Sequence, residues 1–199
     1  MKRVKELAIF VALWLCIPLA ATATVIFDSG AQNFFPTGTQ FGRVTRDGNP
    51  SVWGVSKPFP GVVGAPTARG YELFTVNSGA FNQLQITLDD PTFSLFVVAY
   101  LNSFNPVNSA PNYGLDVNYL GDAGFTQPFG NPSVFQIDVA LNSLILLSIN
   151  EINPGAGRGQ PLHLIVEGFA ATTVPEPSTL ALLGLVVSGL ALARRRKLH

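Results

Sequence analysis

The sequence predicts an all-β protein: an antiparallel β-sandwich or jelly roll of about eight strands, with a hydrophobic helix expected at each end. Three observations predict it. Between Thr24 and Thr173, apolar and polar residues alternate with period two through several short stretches. Turns rich in Gly and Pro separate those stretches, and nothing in the region carries a convincing helical period. Long apolar runs flanked by bases stand only at the two ends.

The amino end, "MKRVKELAIFVALWLCIPLAATA", has the parts of a secretory signal peptide. Lys2, Arg3 and Lys5 open it, an apolar stretch runs from Leu7 to Leu19, and Ala21 and Ala23 form an A-x-A cleavage pattern. Cleavage by signal peptidase is expected after Ala23, so residues 1–23 form the first segment. Pro18 and the small residues end the helix where a peptidase needs extended chain. Cys16 is the only cysteine and leaves with this segment, which excludes disulfides and thiolate chemistry from the body. A lipid anchor at Cys16 is rejected, because Leu15 is bulky where a small residue is needed.

The body, residues 24–173, reads as strands separated by turns. Leu84, Ile86 and Leu88 alternate with Gln85, Thr87 and Asp89; Leu115, Val117 and Tyr119 alternate with Asp116 and Asn118. Phe135, Ile137 and Val139 alternate with Gln136 and Asp138, and Leu162, Leu164 and Val166 with His163 and, beyond them, Glu167. "FSLFVVAYL" (Phe93 to Leu101) and "SLILLSI" (Ser143 to Ile149) are apolar on both faces and read as central strands. "TVIFDSG" and "YELFTV" complete about eight strands. "RDGNP", "LDDP", "FNPVNSAPN", "FGNP" and "NPGAGRGQP" supply the turns. A chain of this length buries one two-layer core.

The body carries five basic and ten acidic residues, a net charge of −5, which opposes binding to phosphate backbones and argues against nucleic acid as a partner. Catalytic signals are sparse. His163 is the only body histidine and no nucleophile turn accompanies it. Asp89-Asp90 precedes Pro91 and reads as a turn rather than a glycosidase pair. Asp116, Asp122 and Glu151, with Asn118 and Asn153, are weak calcium candidates, hard oxygens near strand ends that match no known loop spacing. No other cofactor is expected. Trp53, Tyr100, Tyr113 and Tyr119 would stack on sugar rings if exposed, which is the rival reading of a secreted carbohydrate-binding module; a secreted hydrolase is the weaker rival.

The carboxyl end, residues 174–199, is "VPEPSTLALLGLVVSGLALARRRKLH". Leu180 to Ala193 is apolar except for Ser188 and, as a helix, covers about 21 Å at ~1.5 Å per residue, a marginal span of a hydrocarbon core of about 30 Å. Arg194, Arg195, Arg196 and Lys197 would stay on the cytoplasmic side. Pro175 and Pro177 hold Val174 and Glu176 away from helix, presenting an extended strand to an enzyme that threads peptide through a cleft.

The proline-glutamate-proline triplet, apolar helix and basic end together resemble the PEP-CTERM sorting signal of Gram-negative bacteria. The resemblance implies recognition of Pro175, Glu176 and Pro177 by exosortase, a membrane-embedded cysteine transpeptidase. It further implies an inner-membrane intermediate, removal of the helix, and release or attachment at the cell surface. The family's association with exopolysaccharide producers suggests a setting in the envelope or extracellular matrix, with exopolysaccharide as a candidate partner. A second resemblance, over Tyr71 to Phe169, is to prepeptidase C-terminal β-sandwich modules of secreted bacterial proteins, which implies a binding or secretion role. The expectation is therefore an exported, non-enzymatic β-sandwich protein sorted through its tail.

Overall fold

A computed structural model describes residues 22–126 and 131–170. Ten strands run through them, with no helix among the described residues: β1 (Thr24–Asp28), β2 (Gln32–Asn33), β3 (Gly38–Val44), β4 (Val62–Asn77), β5 (Gln83–Asp89), β6 (Leu95–Leu101), β7 (Tyr119–Asp122), β8 (Ser133–Asp138), β9 (Leu144–Glu151) and β10 (Pro161–Phe169). The two expected helices, in residues 1–23 and 174–199, fall outside the described residues apart from Thr22 and Ala23.

The strands form two antiparallel sheets of five. One has the order β1-β10-β5-β8, with β2 also paired to β10; the other is β3-β4-β9-β6-β7. With β2 and β3 set aside, the orders 1-10-5-8 and 4-9-6-7 are those of a jelly roll, in which the chain passes repeatedly between two facing sheets. The two strands beyond the expected eight are β2, only two residues long, and the edge strand β3.

Alternation explains the first sheet. On β5, Leu84, Ile86 and Leu88 point inward; on β10, Leu162, Leu164 and Val166; on β8, Phe135 and Ile137. Register sets these side by side, with Leu88 opposite Leu164, and Ile86 opposite Val166 on one strand and Phe135 on the other. They join Leu95, Val97, Ile145, Leu147 and Ile149 of the second sheet in one buried cluster. Each fully buried side chain of this size contributes about 1.5–3 kcal/mol.

β6 is central and buried from Leu95 to Tyr100. Its outward residues are covered by the segment that follows: Phe104 packs on Tyr100 at 4.6 Å and on Tyr71 at 5.0 Å between ring centroids. That segment corrects the expected strand at Leu115–Tyr119. Residues 110–118 form turns, with Tyr113, Gly114 and Asn118 at positive φ, and only Leu115 is buried while Val117 stays 55 % exposed. The strand begins at Tyr119.

Candidate functional site

Two buried carboxylates organise the polar interior. Asp122, at the end of β7, is fully buried. Its Oδ1 accepts from Lys57 Nζ at 2.8 Å and from the Gly124 N–H at 2.5 Å, while Oδ2 accepts from the Tyr119 hydroxyl. Lys57 also donates to Asp47 Oδ1 at 2.9 Å and to the Asn49 carbonyl. Ser51 clamps the same corner, its N–H donating to the Asp122 carbonyl and its Oγ accepting the Asp122 N–H, both at 3.0 Å. Burial, and then the Asp122 carboxylate, push the Tyr119 hydroxyl far above its ordinary pKa, so it remains a donor. Gly124 is required here: it sits at φ +70°, and a Cβ would strike the Asn49 backbone.

Glu151, at the end of β9, is 3 % exposed. It accepts the N–H groups of Gly70 and Gly155 on one oxygen and of Gly157 on the other. It lines an open cleft of about 360 Å³ with Thr37, Thr39, Gly70 and the exposed Arg158. Beside it Arg69 donates to the carbonyls of Gly64, Thr67 and Ile152, tying the irregular first half of β4 to the end of β9.

The three carboxylates named as calcium candidates each accept from donors within the protein. Asp122 is occupied by a lysine and Glu151 by backbone donors. Asp116 lies exposed on a turn, accepting from Asn112 Nδ2 at 2.9 Å. Among the described residues no group of three or more His, Cys, Asp or Glu converges as a metal site would require.

His163 lies on the outer face of β10, as its alternation predicts, but its partner is Asp28 on β1, with Nε2 2.7 Å from Oδ1. Glu167 instead accepts from Gln85, which accepts from Gln136, a ladder of polar side chains across β10, β5 and β8. Asp90 makes the expected turn, its carboxylate accepting from the N–H groups of Thr92 and Leu95. Trp53 is half-buried, its indole N–H donating to the Leu84 carbonyl at 3.1 Å and its ring edge-on to Phe169 at 4.8 Å. Tyr100 is fully buried, and Tyr113 and Tyr119 are half-buried. These four rings form no flat exposed platform.

Lys57 and Arg69 went unrecognised in the sequence. Lys57 meets Asp122 across 65 residues of chain, a separation over which no local pattern signals.

Of the terminal candidates, Ala23 is exposed immediately before β1, and Ala21 lies outside the described residues. Pro175, Glu176, Pro177 and Arg194 to Lys197 lie outside them too. The last described strand, β10, is paired on both sides, by β1 and β2 at one edge and β5 at the other, and ends at Phe169. The class this defines is a two-sheet antiparallel β domain whose final strand is pinned inside a sheet and leads, within a few residues, into a distinct tail. Residues 173–197 match the PEP-CTERM protein-sorting motif, so the chain carries that motif at its carboxyl end. The motif implies exosortase as the processing partner, and export with a membrane-anchored sorting intermediate. Neither curated proteins nor solved structures give any match, and nothing found supports the resemblance to prepeptidase C-terminal modules.

Proposed function

We propose that this is an exported β-sandwich protein without catalytic activity of its own, which exosortase processes through the tail and leaves in the envelope or extracellular matrix. The observation that carries the reading is the sorting motif over residues 173–197. In this reading residues 1–23 direct export and are removed, and Leu180 to Ala193 hold the intermediate in the inner membrane. Arg194 to Lys197 set its orientation. Pro175, Glu176 and Pro177 then offer an extended strand to the enzyme. The Glu151 carboxylate, taken up by three backbone donors, supports a body that serves by its fold and surface rather than by turning over a substrate. The half-buried Trp53, held by the Leu84 carbonyl and the Phe169 ring, supports this reading over the carbohydrate-binding rival.

The test is intact-mass analysis of the protein from its host after Pro175, Glu176 and Pro177 are each replaced by alanine. Export continues and the tail is retained, whereas the natural sequence loses it. Identical processing of both forms rejects the reading.

A further inference from the structure

Lys57 and Asp122 form an enclosed pair, with side-chain exposures of 7 % and 0 % and Nζ 2.8 Å from Oδ1. Three features exceed what an ion pair needs. A second carboxylate, Asp47, lies 2.9 Å from the same Nζ and is 29 % exposed, open enough to exchange protons with solvent. Two donors, the Tyr119 hydroxyl and the Gly124 N–H, address the two oxygens of Asp122 separately. Aromatic rings wall the corner: Tyr119 is edge-on to Phe59 at 5.3 Å and to Tyr100 at 6.5 Å.

We propose that Lys57 and Asp122 condense into an intramolecular amide, a covalent clasp between the segment joining β3 to β4 and the end of β7. The step needs no co-reactant. Proton transfer within the pair gives a neutral amine and a neutral carboxyl group. The Nζ lone pair attacks Asp122 Cγ, forming the C–N bond and a tetrahedral centre. Asp47 accepts the proton that nitrogen sheds and returns it to the departing hydroxyl, which leaves as water. One ammonium and one carboxylate thus become one amide and one water.

Each neighbour has a matching role. The Tyr119 hydroxyl on Oδ2 stabilises the negative charge that grows there, as a donor preset at an oxyanion does, while the Gly124 N–H on Oδ1 holds the hydroxyl that leaves. The fold holds amine and carbonyl in contact, an advantage equivalent to an effective concentration of about 10⁵–10⁸ M. Dry surroundings penalise a charged pair and spare a neutral amide. The body, residues 24–173, has no cysteine and so no disulfide to do this work.

The experiment uses the purified full-length chain, unfolded in denaturant, labelled with an amine-reactive reagent and mapped by peptide mass spectrometry. The expected result is an unlabelled Lys57 in a branched peptide with Asp122, one water lighter than its two parts. Lys57→Arg keeps the positive charge but not the nucleophile, and retains the full mass. Asp47→Asn lowers the cross-linked fraction at least tenfold at matched times. A fully labelled Lys57 in linear peptides from the natural sequence overturns the proposal without needing any variant to fold. Undiminished cross-linking in Asp47→Asn overturns the role given to Asp47. Neither result bears on sorting, because exosortase takes no part.

Discussion

Glu151 accepts the backbone N–H of Gly70 from the neighbouring strand β4 at 3.0 Å, and the same carboxylate oxygen accepts Gly155 from the loop ahead at 3.0 Å. One side chain therefore fastens a strand to the glycine-rich turn before β10. The turn needs such a fastener, because Asn153 to Ala156 and Arg158 to Gly159 are exposed and contribute nothing to the core.

Glu151→Ala leaves three N–H donors without their carboxylate in a largely buried setting, at about 1–3 kcal/mol for each group left unsatisfied and unable to reach water. Some reach water through the cleft, so the expected loss is about 2–4 kcal/mol in urea unfolding. Glu151→Gln keeps an acceptor and loses less. Equal losses in the two variants show that the negative charge of the carboxylate, not an acceptor of the same shape, holds the turn.

Trp53 is held by the Leu84 carbonyl and the Phe169 ring, so its removal acts on stability. Trp53→Ala is expected to lower stability by about 1–3 kcal/mol, below the range for a wholly buried aromatic. The fraction retained on added polysaccharide, measured for both forms, is expected to be the same as for the natural sequence. An unaltered unfolding midpoint with lost sugar binding returns Trp53 to the role of a surface platform.

These two residues mark how far the sequence reaches. β5, β8 and β10 were legible because each keeps one face on the core and one in solvent, so Leu84 to Asp89 alternates cleanly. β6 and β9 were legible because central strands covered on both faces read as apolar runs. β3 and the first half of β4 were not. Gly38, Gly42 and Gly64 interrupt them, Gln40 and Arg69 are buried polar residues, and the register between Phe41 and Arg43 shifts. Leu115 to Tyr119 misled because alternation over five residues also arises by chance in a turn. The sorting motif was readable because it is linear. The Lys57–Asp122 corner was not, because folding alone brings its parts together.

Asp28 carries the pH prediction. The Gly30 N–H, and after it the His163 side chain, hold its carboxyl below the ordinary 3.8. A depressed carboxylate pKa contributes stability that is present above the ordinary value and lost as pH falls through the folded one. Its contribution therefore fades below about pH 4. His163→Ala should raise the Asp28 value only part of the way, because the Gly30 contact, the larger cause, remains. Nuclear magnetic resonance titration of the Asp28 carboxyl carbon reads this directly. A value restored fully to the ordinary one assigns the whole shift to His163.

Arg43 makes the opposite case, a charge that the fold bears at a cost. Its guanidinium is half-buried on the edge strand β3, and Nε is enclosed without a hydrogen-bond partner among the described residues. Desolvation, then the like charges of Arg46 and Arg69, push its pKa down to about 10. A cation whose pKa falls on folding destabilises the folded state while charged; that penalty is full below the folded value and lifts as pH rises through it. At neutral pH the whole penalty is present. Arg43→Met keeps the aliphatic stem against the sheet and removes the charge, and an apolar replacement of a poorly compensated buried charge is neutral or stabilising. The one bond lost, from Nη1 to the Val44 carbonyl at 3.2 Å, contributes about 1 kcal/mol. The expected result is an unfolding midpoint in urea at or above that of the natural sequence, whereas Arg43→Ala, which also removes the stem, falls below it. A Met variant as unstable as the Ala variant shows that Arg43 is held by a favourable interaction of its charge, and the penalty assigned to it is withdrawn.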